Sequence, residues 1–354
     1  MDSFDILSAN YEQLAQFLAQ IGEKSYRTQQ IFEWIHKKHA VSYDEMTNLP
    51  MKLREKLGQI AVFSKIECMQ MQKSAQDDTR KYLFALQKSG TMDDDRVYVE
   101  TVLMNHRHGL SICLSSQAGC SMGCAFCASG LNGLERNLTA GEIAAQYYAA
   151  SRDIGGRIGN IVIMGSGEPL DNYDNVVKFI KIISDERGAG VGQRRITLST
   201  CGVVPRIYDL MDEDLQITLA VSINAPNDQI RRQLMPIARI YDIDKLIAAC
   251  KAYESKLRRI SFEYIMIDGV NDSIGCAKEL AKRLGNMKSH INLIPINNIP
   301  EKGFKCSKPA VVKAFAEVLS DKGFEVTIRR ELGGDISAAC GQLRNEYDNK
   351  TIDK

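Results

Sequence analysis

The chain has 354 residues, 44% of them hydrophobic, and its 45 Lys and Arg balance 44 Asp and Glu to a net charge of +1. That length suits one large domain plus a smaller one, while the near-neutral balance excludes a general basic footprint, so any nucleic-acid contact must come from local patches. No stretch approaches the roughly 18 apolar residues of a membrane span, Met1-Asp2-Ser3-Phe4-Asp5 has no basic flank or apolar run, and ten cysteines suit metal and thiol chemistry in a reducing cytosol better than a disulfide framework; the expectation is a soluble, cytoplasmic protein.

From about 10 to 60, apolar and polar positions alternate at helical period, as at Tyr26, Gln30, Ile31, Trp34 and Ile35,. Leu49-Pro50 opens another short helix, because proline suits a first helical turn. From about 62 to 104 the pattern becomes short strands, at 81–86 and 96–103, joined by the polar connection 89–95,. The expected domain boundary is near residue 95, giving an accessory domain of residues 1–95 and a larger one of 96–354. Strands are expected at 109–114, 160–164, 195–199, 216–222, 259–266 and 291–295, with helices at 139–152, 175–185, 244–256 and 277–284 between them. Alternating βα units imply a parallel sheet with right-handed crossovers, here an incomplete (β/α)6 barrel of the α/β class. A final strand at 324–329 precedes a C-terminal extension. The pairs Arg80-Lys81, Arg194-Arg195, Arg231-Arg232 and Arg258-Arg259 are candidate phosphate contacts, each more simply read as a solvated end of a helix or strand.

The stretch Cys120-Ser121-Met122-Gly123-Cys124-Ala125-Phe126-Cys127 carries three thiols at C-x3-C-x2-C spacing. Structural zinc and ordinary iron-sulfur centres take four protein ligands, so a trio predicts a metal centre with one open position. In a [4Fe-4S] cluster that position can chelate S-adenosylmethionine (SAM) and deliver an electron to its sulfonium. A zinc site completed by a distant His or Cys, or three buried packing thiols, are the plainer readings, and neither accounts as well for three cysteines in eight residues.

In parallel α/β folds ligands collect at the carboxyl ends of strands. The second strand ends in Met164-Gly165-Ser166-Gly167-Glu168-Pro169, where glycines allow close backbone approach and a carboxylate can accept from an ammonium; the plain alternative is a tight βα turn. Ser199, Ser222-Ile223-Asn224 and Asn297 also stand at strand ends, where spacing alone favours hydrogen-bonding residues without a ligand.

Taken together, C-x3-C-x2-C, the run Cys113-Leu114-Ser115-Ser116-Gln117-Ala118-Gly119-Cys120 and Ala338-Ala339-Cys340-Gly341-Gln342-Leu343 resemble the RlmN/Cfr family of radical SAM RNA adenine methyltransferases, over nearly the whole chain. The resemblance implies a radical SAM barrel with a [4Fe-4S] cluster on Cys120, Cys124 and Cys127. It also implies two SAM molecules per turnover, one methylating Cys340 and one giving a 5′-deoxyadenosyl radical. Gly167 and Glu168 then match the SAM amino-group site, and Ser199, Ser222, Ile223, Asn224 and Asn297 the contacts to its carboxylate, ribose and adenine. A methylene radical on Cys340 would join the adenine through a thioether, Glu100 would accept the ring proton, and Cys113 would release the product by forming a disulfide with Cys340. Without the resemblance Glu100 reads equally well as a solvent-facing strand carboxylate.

Relatives usually carry His where Asn224 stands, and Cys201 is unexpected beside Ser199. Implied partners are 23S rRNA, tRNA next to the anticodon, and flavodoxin or ferredoxin, for a monomer with no membrane association. RlmN-type methylation at C2 and Cfr-type methylation at C8, which confers antibiotic resistance, use the same cysteines; the Gly165-Ser166-Gly167-Glu168-Pro169 loop looks nearer the C2 enzymes. A non-catalytic zinc or RNA-binding module is the alternative from another class. Residues 1–95 are expected to grip folded RNA so that one adenine is extruded into the barrel.

Overall fold

The computed structural model describes residues 4–88, 96–106, 109–256, 258–296, 303–330, 332–336 and 343–344. Strand β1 (Phe4–Asp5) leads into helices α1 (Tyr11–Gln20), α2 (Tyr26–His36) and α3 (Met51–Ile60), and β2 (Ala61–Val62) returns parallel to β1. Asn10 fixes where α1 begins. Its side chain accepts from the Gln13 N–H while the Gln13 side chain accepts from the Asn10 N–H, satisfying two donors that a first turn otherwise leaves open. Leu14, Leu18, Ile31, Phe32, Ile35, Leu53 and Leu57 turn inward to make a small core of their own.

Next come β3 (Glu67–Lys73), β4 (Arg80–Gln87), β5 (Arg96–His106) and β6 (Gly109–Cys113), each antiparallel to the one before. A short antiparallel pair, β7 (Gln117–Gly119) and β8 (Leu134–Asn137), encloses the cysteine loop. The chain then alternates through α4 (Ala140–Ile154), β9 (Asn160–Ile163), α5 (Tyr173–Ser184), β10 (Ile196–Thr200), α6 (Val204–Asp212) and β11 (Thr218–Ser222). It continues with α7 (Asp228–Leu234), α8 (Ile243–Ser255), β12 (Arg259–Met266), α9 (Ile274–Leu284), β13 (His290–Pro295), α10 (Pro309–Asp321) and β14 (Glu325–Ile328).

One sheet runs in the order β14-β13-β12-β11-β10-β9-β6-β5-β4-β3, parallel from β14 to β6. Its two edges do not meet, so the barrel is partial, as expected. The six expected strands coincide with β6 and β9 to β13 within two residues. Helices α6, α7 and α10 add to the expected set; the first two, at nine and seven residues, are too short to display a periodicity, whereas α10 has 13 residues. The expected division at residue 95 falls between β4 and β5, which pair from Arg80 opposite Leu103 to Gln87 opposite Arg96, so the sheet is continuous across it.

Strand alternation sorts the parallel strands into two faces. Ile112, Ile161, Leu198, Leu219, Phe262 and Ile291 point outward and join the helices in the main core. Their neighbours Ser111, Cys113, Thr197, Ser199, Ser222, Glu263 and Asn292 point inward and line a cavity. A polar inner face cannot pack shut as a closed barrel of branched side chains does, and the open barrel is hollow for that reason. Among the described residues no helix is long and apolar enough to cross a membrane.

The N-terminal helices dock on α4. His36 is fully buried with Nδ1 2.6 Å from the Tyr148 hydroxyl, and Ser8 Oγ accepts from the Gly141 N–H at 2.9 Å. Burial depresses the His36 imidazole to about 3 and that of His39 to about 4. Unfolded imidazoles take a proton near pH 6.5 while these stay neutral when folded, so their contribution is complete above pH 6.5 and drains as pH falls toward 3. Acidifying from about pH 7.5 to about pH 5 should therefore lower the guanidinium midpoint of the wild type more than that of His36→Gln; equal losses would refute this.

Candidate catalytic cavity

The cavity has a volume of about 1710 Å³ and takes Cys120, Cys124 and Cys127 into its wall beside Gly165, Gly167, Glu168, Ser199, Cys201 and Ser222. The cysteine loop is strapped at both ends. Cys120 N donates to Gly133 O at 2.9 Å, and Ala125 N donates to Leu234 O, at the end of α7, at 2.8 Å. Gly119 makes the first strap possible, since at φ +77° a Cβ would sit 2.0 Å from Gly133 O. Burial pushes the Cys120 thiol up to about 11. For Cys124, burial is followed by the facing Cys127 and Cys120 thiols, all three pushing it well above its ordinary value. Thiols that oppose one another's ionisation in this way are stabilised as thiolates by a cationic centre. Among the described residues no three His, Cys, Asp or Glu gather as the ligands of one metal ion do. Three cysteines of one short loop lining the same cavity fit an iron-sulfur centre held by three thiolates with one position open to that cavity.

Glu168 joins the neighbouring strand ends. Its Oε2 accepts from Cys201 N at 2.7 Å and its Oε1 from Leu170 N at 3.0 Å, while its own N–H donates to Gln117 Oε1 at 2.8 Å. Burial raises the Glu168 carboxyl, and these backbone donors pull against it. The glycines around it answer to protein packing. A Cβ on Gly167, at φ +108°, would lie 2.6 Å from Gln117 Cβ, and one on Gly165 would lie 2.8 Å from the Leu114 backbone. Close approach of the β6 and β9 ends, not of a ligand, is what demands glycine here.

Ser199 and Ser222 line the cavity. Ile223 and Asn224 do not. Ile223 is fully buried, and Asn224 is a strut: at φ +53°, which Asn tolerates better than most residues, its Oδ1 accepts from Ile265 N at 2.9 Å and its Nδ2 lies 3.4 Å from Met235 Sδ. Its backbone carbonyl accepts from Asn271 Nδ2 at 2.9 Å. Cys201, puzzling in the sequence, presents both halves of its backbone to buried charges: its N–H to Glu168 and its carbonyl to Arg231 Nη2 at 2.8 Å.

Glu100 is buried, not solvent-facing. Its Oε2 lies 3.2 Å from Lys81 Nζ, with exposures of 5% and 0%, and its Oε1 accepts from the Arg344 N–H at 2.8 Å. Lys81 and Arg231 are thus removed from the candidate phosphate contacts, both being fully buried. Cys113, at the end of β6, packs with Val102, Met104, Val162, Met164 and Leu332 and lines the cavity. Cys340 and Asn297 lie outside the described residues. The chain on either side of Cys340 is tied down. Gly333 N donates to Asp77 Oδ2 at 2.7 Å and Asp335 Oδ1 accepts from Ser74 Oγ at 2.6 Å, whereas Arg344 pairs with Glu135 and Leu343 is 1% exposed.

Sequence reasoning missed Glu263, whose carboxyl lines the cavity, is raised by burial and accepts from Asn292 Nδ2 at 2.8 Å. The inward phase of β12 was the signal that pointed to it. Gln117, fully buried in the motif before the cysteine loop, also donates to Asn137 Oδ1 at 2.7 Å and Asp171 Oδ2 at 3.1 Å.

Residues 4–63 match the family model for the ribosomal RNA large subunit methyltransferase N-terminal domain, and residues 114–275 match that for the radical SAM superfamily. A probable dual-specificity RNA methyltransferase RlmN from Lachnospira eligens is 49% identical over 97% of this chain and 96% of its own. One from Clostridium novyi is 47% identical over 97% and 98%. The crystal structure of a radical SAM methyltransferase from Sphaerobacter thermophilus matches with a TM-score of 0.90 at 42% identity, covering 96% of this chain and 98% of that one.

Gly119→Ala should destabilise the fold by about 1–3 kcal/mol, the usual range for a strained backbone position, with the Gly133 contact pushing toward the upper end. A guanidinium midpoint equal to wild type would show that the strap yields freely.

Proposed function

This chain belongs to the RlmN family of radical SAM RNA methyltransferases, and on that premise we propose that it methylates C2 of an adenine in the peptidyl transferase centre of 23S rRNA and of the tRNA adenine next to the anticodon. The observation that carries the reading is a single cavity that holds the three-cysteine wall, Glu168 and Cys113 together, with the chain on both sides of Cys340 fastened nearby. Cys340 stands three positions before Leu343, a span of at most about 11 Å, which supports a role for it beside the Glu100 end. The cavity also exceeds the roughly 300–1,000 Å³ of an ordinary small-ligand site, leaving room for SAM and an extruded base.

A [4Fe-4S] cluster on Cys120, Cys124 and Cys127 would supply, with SAM, the electron that cleaves the sulfonium and yields a 5′-deoxyadenosyl radical. The chain's own residues do the rest. The Glu168 carboxylate accepts from the SAM ammonium, and Ser199, Ser222 and Asn297 contact its carboxylate, ribose and adenine. The Cys340 thiolate takes a methyl from one SAM by displacement, releasing S-adenosylhomocysteine. A second SAM provides the radical that removes a hydrogen atom from that methyl, and the methylene carbon adds to the ring. Glu100, held by Lys81, accepts the ring proton, and the adduct's unpaired electron would pass back to the oxidised cluster, leaving a closed-shell thioether. The Cys113 thiolate then attacks the Cys340 sulfur, forming the disulfide as the carbon–sulfur bond breaks, and the released methylene carbon takes a proton from solvent to become the methyl group. Residues 1–95 are the accessory part that grips folded RNA, and flavodoxin or ferredoxin is the electron donor to a monomeric, cytoplasmic enzyme.

Cys340→Ala should abolish methylation and leave reductive SAM cleavage, while Cys113→Ala should accumulate a covalent protein-RNA adduct visible on a denaturing gel. Normal turnover by the Cys113 variant would remove it from the resolving role. Nucleoside mass spectrometry of 23S rRNA and tRNA from cells with and without the gene should show 2-methyladenosine lost from both; loss of 8-methyladenosine instead would assign the Cfr-type carbon. A protein purified anaerobically with zinc in place of iron and sulfide would end the radical proposal.

A further inference from the structure

Arg231, in α7, is fully buried, and a buried guanidinium is costly unless its charge is matched. It has no carboxylate in an ion pair among the described residues. Its Nη2 and Nη1 donate to the uncharged carbonyls of Cys201 and Tyr241, at 2.8 and 3.2 Å, and its Nε is buried without a hydrogen-bond partner. Asp228, three positions earlier, contributes an opposing field, but its Oδ1 is spent on the Ile243 N–H at 2.9 Å.

The Arg231 hydrogen bond to the Cys201 carbonyl and the tie from the end of α7 to Ala125 set this charge beside the cysteine loop. Its charge acts on Cys201, Cys124 and Cys250, and Cys124 packs against the apolar cluster that Cys201, Leu234 and Met235 form. The charge cannot drift away, because Leu234 at the end of the same helix accepts from Ala125 of the cysteine loop. Neutral thiols give this cation no compensation. Thiolates on a metal centre do, and one more electron on that centre does so further, since a fixed positive charge in a low-dielectric site stabilises added negative charge.

We propose that Arg231 is the counter-charge that raises the reduction potential of the centre held by Cys120, Cys124 and Cys127, so that it accepts its electron from a low-potential one-electron donor. The inference rests on the reading of those cysteines as cluster ligands. One electron passes from donor to centre and no proton moves, because a guanidinium stays protonated throughout. Arg231 is a positioning and tuning residue; it touches neither SAM nor RNA in this scheme.

The test is a redox titration of the anaerobically reconstituted holoenzyme followed by electron paramagnetic resonance, with iron and sulfide measured on each sample. Arg231→Gln keeps a donor for the carbonyls and removes the charge, Arg231→Lys keeps the charge, and Asp228→Asn removes the opposing one. At the potential that half-reduces wild type, Arg231→Gln should show a ratio of reduced to oxidised centre about tenfold lower, equal to 59 mV for a one-electron couple. Arg231→Lys should stay near wild type, and Asp228→Asn should shift upward. A fully loaded Arg231→Gln that titrates like wild type overturns the proposal, as does an Asp228→Asn that shifts downward or not at all. Should Arg231→Gln fail to fold or load, Asp228→Asn decides alone. A wild-type chain that takes up no iron or sulfide refutes the cluster reading itself, which is a different result from a loaded centre indifferent to residue 231.

Discussion

One peptide unit on either side of Cys201 is gripped by two buried charges of opposite sign, the Glu168 carboxylate at its N–H and the Arg231 guanidinium at its carbonyl. Neither charge is inexpensive to bury; the effective penalty is several kcal/mol per ion, and hydrogen bonds to charged groups return about 1.5–3 kcal/mol each. The grip returns only part of what burial costs, and the rest of the cavity follows from where it sits. Through Glu168 it ties the β9 end to the β10 end, and through α7 it reaches the cysteine loop at Ala125. Three segments far apart in the chain are thereby held at one end of an open barrel.

Close approach is the second constraint. Gly165 and Gly167 let the β9 end lie against Leu114 and Gln117, and Gly119 lets the start of the cysteine loop lie against Gly133. Side chains at these positions would push the strand-end loops apart by ångströms, and the hydrogen bonds of Gln117 and Glu168 could not form together. Packing between loops explains these glycines with no ligand present, although a ligand-binding site is what the packing builds.

The polar inner face supplies the third. Six βα units leave the barrel unclosed, and the inward residues, Ser111, Thr197, Ser261, Glu263 and Asn292 among them, keep it hollow. The Glu100–Lys81 pair belongs to a separate region on the antiparallel extension, reached by the chain's end at Arg344. In the proposed scheme the chemistry is divided between these two places, and Cys340, three residues before Leu343 in the sequence, is the carrier between them.

The order of strands, the partial barrel, the cysteine trio and the Glu168 turn were legible in the sequence, because each rests on local periodicity or on ligands close together in the chain. The pairings were not. Nothing in the spacing shows that Arg231 and Lys81, each half of a basic pair, fold inward to serve Cys201 and Glu100. Nor does spacing show that Asn224 spends its side chain on Ile265 and Met235, or that Gly165 and Gly167 are required by neighbouring protein. Charge on a residue type predicts solvent exposure only until tertiary structure brings a partner to it. Lys81 and Glu100 stand 19 positions apart, Arg231 and Cys201 30, and Asn224 and Ile265 41, beyond the reach of any local pattern.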